Sequence, residues 1–355
     1  LAKRLTAVNG FLSYIVPNTW LFNTFAKTFR VNLFDHWVLR EILDCSRFKI
    51  FESATVMNSI LLFEKHEGRS NRVGYRPTGN AVSFEELTKE SCATIMRDEL
   101  LKMNQNWGLA FRLEAATIAV VNKIAEQQGM LSDYFDCSQG YIPYRLSDLI
   151  EKYGKKEGKA IKEERKWHSP VQTKEHWIRE LYGRDISKYG YESTGEYVNY
   201  GKHVATYVDM RFFTNPRLIV REITNPTIIA TLISETYLND PQLLPILPKE
   251  GSAMSLKTLW AILNSKLATY FHFRHSPKAT KGAFPKILIQ DIKEFPIPAS
   301  VLAKQEPIIR LVGQIFALKA KDAQADTSEL ESQIDTLVYD LYGLTEEEIA
   351  VVEGK

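Results

Sequence analysis

Cysteine is scarce in this chain of 355 residues: Cys45, Cys92 and Cys137 stand far apart, with no CxxC pair and no Cys/His spacing that suits a metal. A disulfide framework has no material here, and the three read as reduced thiols in the cores of a cytoplasmic protein. Long apolar runs are missing too. Nothing approaches the ~20 residues that a membrane-crossing helix needs, so residues 11–16 and 60–63 read as strands. There is no HExxH, no Walker loop and no acid-rich nuclease motif, which sets aside metalloprotease, P-loop and metal-dependent nuclease chemistry for these residues. Charge of one sign is lacking as well, since Lys+Arg 45 against Asp+Glu 43 leaves a net charge of +2. Binding to a polyanion therefore depends on local clustering of cations.

The cations cluster most densely within residues 264–298. The spacing predicts a helix, then a basic loop, then an apolar strand closed by Phe295-Pro296-Ile297-Pro298. Arg274, His275, Lys278, Lys281 and Lys286 are offset nearby only by Asp291 and Glu294, and Gly282 lets a backbone approach closely. The cluster suits phosphate contact, and a solvated face is the plain alternative.

The rest of the chain reads as several parts. Apolar runs near residues 11–16, 38–43 and 56–63, with a helix over 22–34, predict the end of an α/β unit within residues 1–66. Three strands make an incomplete sheet, and an opening on Leu1 just before an apolar strand reads as a cut through a larger protein. Residues 67–139 read as a polar linker over 67–90 and a helical connector over 91–128, where Ile95, Leu100, Leu109, Leu113, Ile118, Val121 and Ile124 recur at helical spacing. Residues 140–300 mix short strands, turns and helices, with strands expected at 197–200, 217–221 and 228–232 and a turn at Asn225-Pro226. The lysine-rich stretch 152–166 reads as a loop. Residues 301–355 predict amphipathic helices over 306–318 and 328–341, then a capping box of Thr345 and Glu348.

Two segments near the start carry chemistry. Tyr14-Ile15-Val16-Pro17-Asn18-Thr19-Trp20, followed by Phe48-Lys49-Ile50-Phe51-Glu52-Ser53-Ala54-Thr55-Val56-Met57-Asn58-Ser59-Ile60-Leu61-Leu62-Phe63, resembles the later motifs of TaqI-like amino-group DNA methyltransferases. The resemblance implies that Phe51 opens a strand and stacks on an adenine swung out of the duplex. An aromatic face returns ~1–3 kcal/mol to an unstacked base. A core aromatic at a strand start is the other reading of Phe51. Further on, Gly140-Tyr141-Ile142, Leu181-Tyr182-Gly183-Arg184-Asp185-Ile186, Asn215-Pro216-Arg217-Leu218-Ile219-Val220-Arg221, Leu247-Pro248-Lys249-Glu250-Gly251 and Leu263-Asn264-Ser265-Lys266 resemble, in order, the C-terminal specificity domain of such enzymes. The ending, with Ile334, Asp335, Leu337, Val338, Tyr339, Leu341, Tyr342, Gly343 and Leu344, is similar to the tail of restriction-modification methylases.

Arg184, after a glycine that permits a tight turn, could form a fork contact to guanine or phosphate, or a structural pair with Asp185. Arg221 at a strand end is either a DNA contact or a solvated edge charge. The family's glycine-rich cofactor loop is absent, and so is its Asn/Asp-Pro-Pro-aromatic motif, since no Pro-Pro dipeptide exists in the chain. The resemblance thus implies an α/β fragment that ends an S-adenosylmethionine-dependent methyltransferase sheet, an α+β target-recognition domain and C-terminal helices. S-adenosylmethionine is expected to serve the full-length enzyme and not to bind this fragment, which holds no catalytic residue. The implied partner is double-stranded DNA, with Phe51, Arg184, Arg221, Arg274, Lys278, Lys281 and Lys286 as its contacts, and the chain is expected to be monomeric. A non-catalytic specificity subunit and a protein-interaction scaffold are the alternatives.

Overall fold

A computed structural model describes residues 5–23, 26–35, 37–46, 48–51, 56–65, 72–103, 107–111, 113–224, 226–276, 279 and 285–355. The chain divides into two compact units, residues 1–122 with 274–277 and residues 123–273 with 278–355. Both mix helices and sheets.

The first unit is built on one mixed sheet. Its strands are β1 (Phe11–Pro17), β2 (Val38–Cys45), β3 (Asn58–Glu64), β4 (Arg72–Arg76) and β5 (Ala93–Met96), in the order β1-β3-β2-β4-β5. β3 runs antiparallel to both neighbours, β2 is parallel to β4, and β5 returns antiparallel to β4. Burial on both faces is why β3 reads as a continuous apolar run. β1 is the opposite case, an edge strand with Phe11 64%, Tyr14 48% and Ile15 44% exposed. Trp20 is buried, and its indole N–H donates to Ser59 Oγ at 2.9 Å, which ties the segment after β1 to β3. Arg30 is fully buried and donates to the carbonyls of Trp20 and Asn23; burial lowers its guanidinium to about 10.

Three expectations change in this unit. The polar stretch 67–90 is no linker where it is described, because it holds β4 and the helix Phe84–Lys89. β4 reads as polar because its charges are paired across the sheet, with Arg76 Nε 2.7 Å from Glu41 Oε1. The stretch 91–128 is not one helix. It begins with β5 and continues as the helices Arg97–Lys102, Trp107–Ala110 and Ala115–Ala125. A four-residue strand is too short to break a helical spacing pattern in the sequence. The helix expected over 22–34 shortens to Lys27–Asn32 between the 3-10 turns Asn18–Leu21 and Leu33–Asp35.

The second unit contains β6 (Gly129–Met130), β7 (Phe135–Cys137), β8 (His168–Ser169), β9 (Ile178–Leu181), β10 (Ile186–Ser187) and β11 (Gly190–Tyr191). It continues with β12 (Tyr197–Val198), β13 (Arg217–Arg221), β14 (Ala230–Ile233), β15 (Leu238–Asn239), β16 (Leu243–Pro248) and β17 (Pro296–Ile297). One antiparallel sheet has the order β14-β13-β16-β7, and another sheet has the order β15-β9-β12-β8 with β15 parallel to β9. β10 and β11 form a two-residue-turn hairpin, and β17 pairs with β6. Tyr141, Val198, Phe213, Leu238 and Leu247 share one buried cluster, and Leu181, Ile186, Ile219, Ile233 and Leu243 another.

The lysine-rich stretch expected as a loop is helical over Lys155–Glu163, and Lys166 after it sets its Nζ 2.7 Å from Glu157. Gly154 at φ +80 breaks this helix from Leu146–Tyr153, a geometry open to glycine. Asn225 of the expected turn lies outside the described residues, and β13 and β14 on either side of it pair antiparallel. The apolar strand expected between the basic loop and Phe295 is a single bridge, Ile223 to Lys286, followed by the helix Ile289–Lys293, where Asp291 caps the N–H of Leu288 at 2.9 Å. The helices Val301–Lys321, Ser328–Leu341 and Glu346–Glu353 close the chain, the last with the expected box: Thr345 N–H donates to Glu348 at 2.8 Å and Glu348 N–H to Thr345 Oγ1 at 3.3 Å. Cys45 is buried and Cys137 half-buried, as expected of core thiols, whereas Cys92 is exposed. Among the described residues, no helix is long and apolar enough to cross a membrane.

Candidate nucleic-acid interface

β9 delivers the chain into the Gly183-Arg184-Asp185 turn, and a buried carboxylate fixes where β9 lies. Glu180 is 2% exposed and accepts hydroxyl protons from Tyr141 at 2.7 Å and Tyr182 at 2.6 Å. His168 Nε2 stands 3.4 Å from the same carboxylate. The Tyr144 hydroxyl accepts from Trp167 N–H at 2.9 Å and stands 2.7 Å from His168 Nδ1. Burial pushes the Glu180 carboxyl up, but the donors His168, Tyr182 and Tyr141 outweigh it and hold the group below the ordinary value.

The turn itself is a 3-10 helix over Gly183–Asp185. Asp185 is buried and accepts from Tyr182 N–H at 2.9 Å, Thr194 N–H at 3.1 Å and the Thr194 hydroxyl at 2.5 Å. These bonds close the turn against the segment between β11 and β12. Arg184 is not consumed in the same way. Its side chain is 70% exposed, lies with Cζ 4.6 Å over the Tyr182 ring and donates from Nε to Thr194 Oγ1 at 3.1 Å. Both readings of this turn find an observation: Arg184 Nε stands 3.9 Å from Asp185 Oδ1, the structural pair, while the Arg184 side chain stays 70% exposed. Asp240, beside the turn, is pushed up to about 7 by burial, with Glu180 and Asp185 adding to the effect.

β13 carries two arginines with opposite fates. Arg217 is fully buried and donates to the carbonyls of Asn215, Glu235 and Tyr237 at 3.0–3.2 Å, so it clips the β13–β14 hairpin; burial lowers it to about 10. Arg221 is half-buried, with Nε donating to Ile223 O at 3.0 Å and its pKa lowered by burial. It is therefore not the fully solvated edge charge that its strand-end position suggested. A Cβ on Gly183 would stand 3.8 Å from Arg221 Cγ, which places Arg221 against the base of the Arg184 turn. Lys286 follows closely: Ile287 N–H donates to Glu222 O at 2.8 Å, Thr224 N–H to Pro285 O at 3.0 Å, and Lys286 Nζ to Glu222 Oε2 at 2.9 Å. Lys286 is thus locally neutralised.

Arg274 lies in the last turn of the helix Lys266–His275 and is half-exposed. Lys278 and Lys281 lie outside the described residues. In the first unit, Phe51 is 47% exposed on the connection between β2 and β3, while Phe48 and Ile50 pack on Cys45, Ala81 and Leu87. It does not open β3, which begins at Asn58, and it is not a core residue. The two motif segments do meet, since Pro17 pairs with Asn58 and Asn18 N–H donates to Met57 O at 2.9 Å. Among the described residues, no group of three or more His, Cys, Asp or Glu is placed to hold a metal ion. Sequence reading missed the Glu180 network and the buried Arg217, because a charged residue within a short strand carries no sign of which face it takes.

The model of the TaqI-like C-terminal specificity domain matches residues 178–297, which span the Arg184 turn, β13 and Lys286. Over 361 aligned residues the chain is 24% identical to a protein of Methanocaldococcus jannaschii described as a type II restriction enzyme and methyltransferase, covering 96% of this chain and 28% of that protein. The structure of the type IIL restriction-modification enzyme MmeI in complex with DNA aligns with a TM-score of 0.54 at 11% identity, over 98% of this chain and 49% of that one. At that identity the likeness is one of fold. The chain spans less than a third of the first relative and about half of the second. Residues 178–297 match the TaqI-like C-terminal specificity domain, in a chain similar over nearly its whole length to a combined restriction enzyme and methyltransferase.

Proposed function

We propose that this chain is the sequence-recognising part of an adenine-specific, S-adenosylmethionine-dependent DNA methyltransferase of a restriction-modification system. The observation that carries the reading is Arg184: within the matched domain, an exposed guanidinium sits on a turn held by the buried Asp185. Arginine's fork suits guanine O6/N7 or a phosphate, and a rigid mount reduces the entropy lost on contact. Arg221, Arg274, Lys278, Lys281 and Lys286 are proposed as further DNA contacts, with Lys286 acting beside its Glu222 partner.

Within this reading residues 1–66 end the methyltransferase sheet, 140–300 read the duplex, 301–355 brace the reader and 67–139 connect them, although β4 and β5 extend the sheet into that connector. Support for the first assignment comes from β1, whose exposed Phe11, Tyr14 and Ile15 on an open edge suit a sheet that continues past it. Phe51 is proposed as the stacking face for a flipped adenine, and its exposure leaves a ring face open to a base. The residues present do not fit a cofactor site. No two glycines are spaced as Gly-x-Gly, no Pro-Pro dipeptide occurs, and the tight approaches at Gly10 and Gly74 are to neighbouring backbone and side chains. Methyl transfer is assigned to residues outside this chain, so the fragment is proposed to bind duplex DNA as a cytoplasmic monomer without methylating it.

Duplex binding measured by fluorescence anisotropy across a salt series tests the reading. A fall in log K with log[salt] with a slope of about −0.9 per phosphate contact is expected. A flat profile, or no duplex binding, overturns it.

A further inference from the structure

The C-terminal helices lie outside the residues matched by the specificity-domain model, yet one of them builds a wall beside the Arg184 turn. A cleft of about 550 Å³ opens between the β10–β11 hairpin and the end of the helix Val301–Lys321. Arg184, Ser187, Tyr191, Glu192 and Thr194 line one side, and Lys319 the other. Its volume lies within the ~300–1,000 Å³ usual for ligand sites, but its walls are polar and cationic.

The two cations are held and still available. Among the described residues Arg184 hydrogen-bonds through Nε alone, to Thr194, with Asp185 Oδ1 3.9 Å from the same nitrogen, so its terminal nitrogens keep donors to give. Lys319 is half-exposed, with Nζ 4.5 Å over the Tyr189 ring and 3.3 Å from Ala323 O, so it retains donors to give. Two carboxylates share the lining. Asp185 accepts from three donors of its own turn and stands 3.9 Å from Arg184 Nε, and Glu192 is exposed. Near Lys319, Asp326 is the acid that feels its charge.

The walls are also fixed to each other. At the hairpin tip, Lys188 Nζ and the Tyr189 hydroxyl both bind Glu331 of the helix Ser328–Leu341, and Trp260 Nε1 donates to Lys188 O at 2.9 Å. The Thr327 hydroxyl binds Glu331 at 2.7 Å, and those donors hold the Glu331 carboxyl below its ordinary value against the opposing effect of burial. A surface hairpin is thereby anchored to the helices Leu256–Leu263 and Ser328–Leu341, both of which pack on the helix that carries Lys319. Preorganised cations on opposite walls recognise an anion better than flexible ones, because less motion is lost on contact.

We propose that this cleft takes the phosphodiester backbone of the bound DNA, clamped between Arg184 and Lys319, so that the C-terminal helix is part of the DNA interface. The inference rests on the recognition function proposed above. Phosphate contacts of this kind set the register of a reader on the duplex without carrying sequence information.

The test uses the full chain and a salt series on a duplex for which the wild type has measurable affinity. Lys319→Gln is compared with Lys304→Gln, a lysine on the same helix that pairs with Asp340 and does not line the cleft. Lys319→Gln and Arg184→Gln are each expected to weaken affinity roughly fivefold, for every duplex sequence in the case of Lys319, and to flatten the salt slope by about 0.9. Glu192→Gln is expected to tighten binding. Lys304→Gln should leave both affinity and slope in place. Equal losses from the two lysine variants, or no loss from Lys319→Gln, overturn the clamp while leaving DNA recognition intact. Saturable binding of a mononucleotide that depends on Lys319, with duplex affinity unchanged, would make the cleft a small-molecule site and also overturn it. Absence of duplex binding by the wild type would remove the recognition function itself.

Discussion

Replacing Glu180 gives the sharpest test of how the recognition turn is positioned. Its carboxylate is 2% exposed and faces the hydroxyls of Tyr141 and Tyr182 and the Nε2 of His168. Glu180→Ala removes the acceptor for all three donors at once. A buried donor left without a partner costs ~1–3 kcal/mol, and partial relief comes from hydroxyl rotation. The expected loss is therefore about 3–5 kcal/mol, similar to breaking a buried charged pair. With a urea m value of ~1–3 kcal/mol/M, the unfolding midpoint of the second unit should fall by on the order of 2 M.

Glu180→Gln keeps one oxygen and the shape and should cost only about 1–2 kcal/mol. The pH dependence carries a definite sign. The folded-state carboxyl is held below its ordinary value of 4.5, so the charge stabilises the fold above that pH and the contribution is lost as pH falls through the lower folded value. The wild-type advantage over Glu180→Gln should stand at pH 7 and shrink on acidification below about 4.5. Urea unfolding followed by tryptophan fluorescence reports it, since Trp167 stacks on Tyr144 at 4.8 Å. A cost under ~1 kcal/mol for Glu180→Ala, or an advantage that grows in acid, would refute the reasoning. Duplex affinity should fall together with stability in Glu180→Ala, and without any loss of stability in Arg184→Gln.

Gly140→Ala should prevent the second unit from folding, because the added Cβ would lie 1.8 Å from Asp240 O and 2.4 Å from Asn239 O; a normal circular-dichroism melt would contradict this. Asp240→Asn should stabilise the protein above pH 7, since the raised pKa of about 7 means that stability is lost as pH rises from the ordinary value of 3.8 to that point; a variant gap that is equal at pH 4 and pH 8 would rule this out. Changing Lys278, Lys281 and Lys286 together to Ala should weaken duplex binding for all sequences, and unchanged affinity would remove the patch. In a full-length enzyme, Phe51→Ala should slow methylation more than it weakens duplex binding, with stability within ~0.5 kcal/mol of wild type because the ring is half-exposed. An unaltered rate would leave Phe51 an ordinary surface aromatic.

Much of the fold was legible where local chemistry decides it. β1, β2, β3 and β13 announce themselves by apolar runs, and Thr345 with Glu348 announces a helix start, because propensity and capping act within a few residues. β4 and β5 were not legible, since they are short and their polar residues are satisfied by partners elsewhere in the sheet, as Arg76 is by Glu41. The helix Lys155–Glu163 was hidden by its charge, which made the lysine-rich stretch read as a loop.

The sequence by itself determined the class of site: aromatic and cationic residues in an order that resembles a specificity domain, and the absence of the motifs that hold a methyl donor. Only the tertiary structure decided which cations are available. Arg184 stands exposed, Arg217 is sealed under three carbonyls, and Lys286 is matched by Glu222. The physical reason is that a side chain's charge is written in its covalent structure. Its desolvation and its partners depend on residues tens of positions away, and folding alone brings those together.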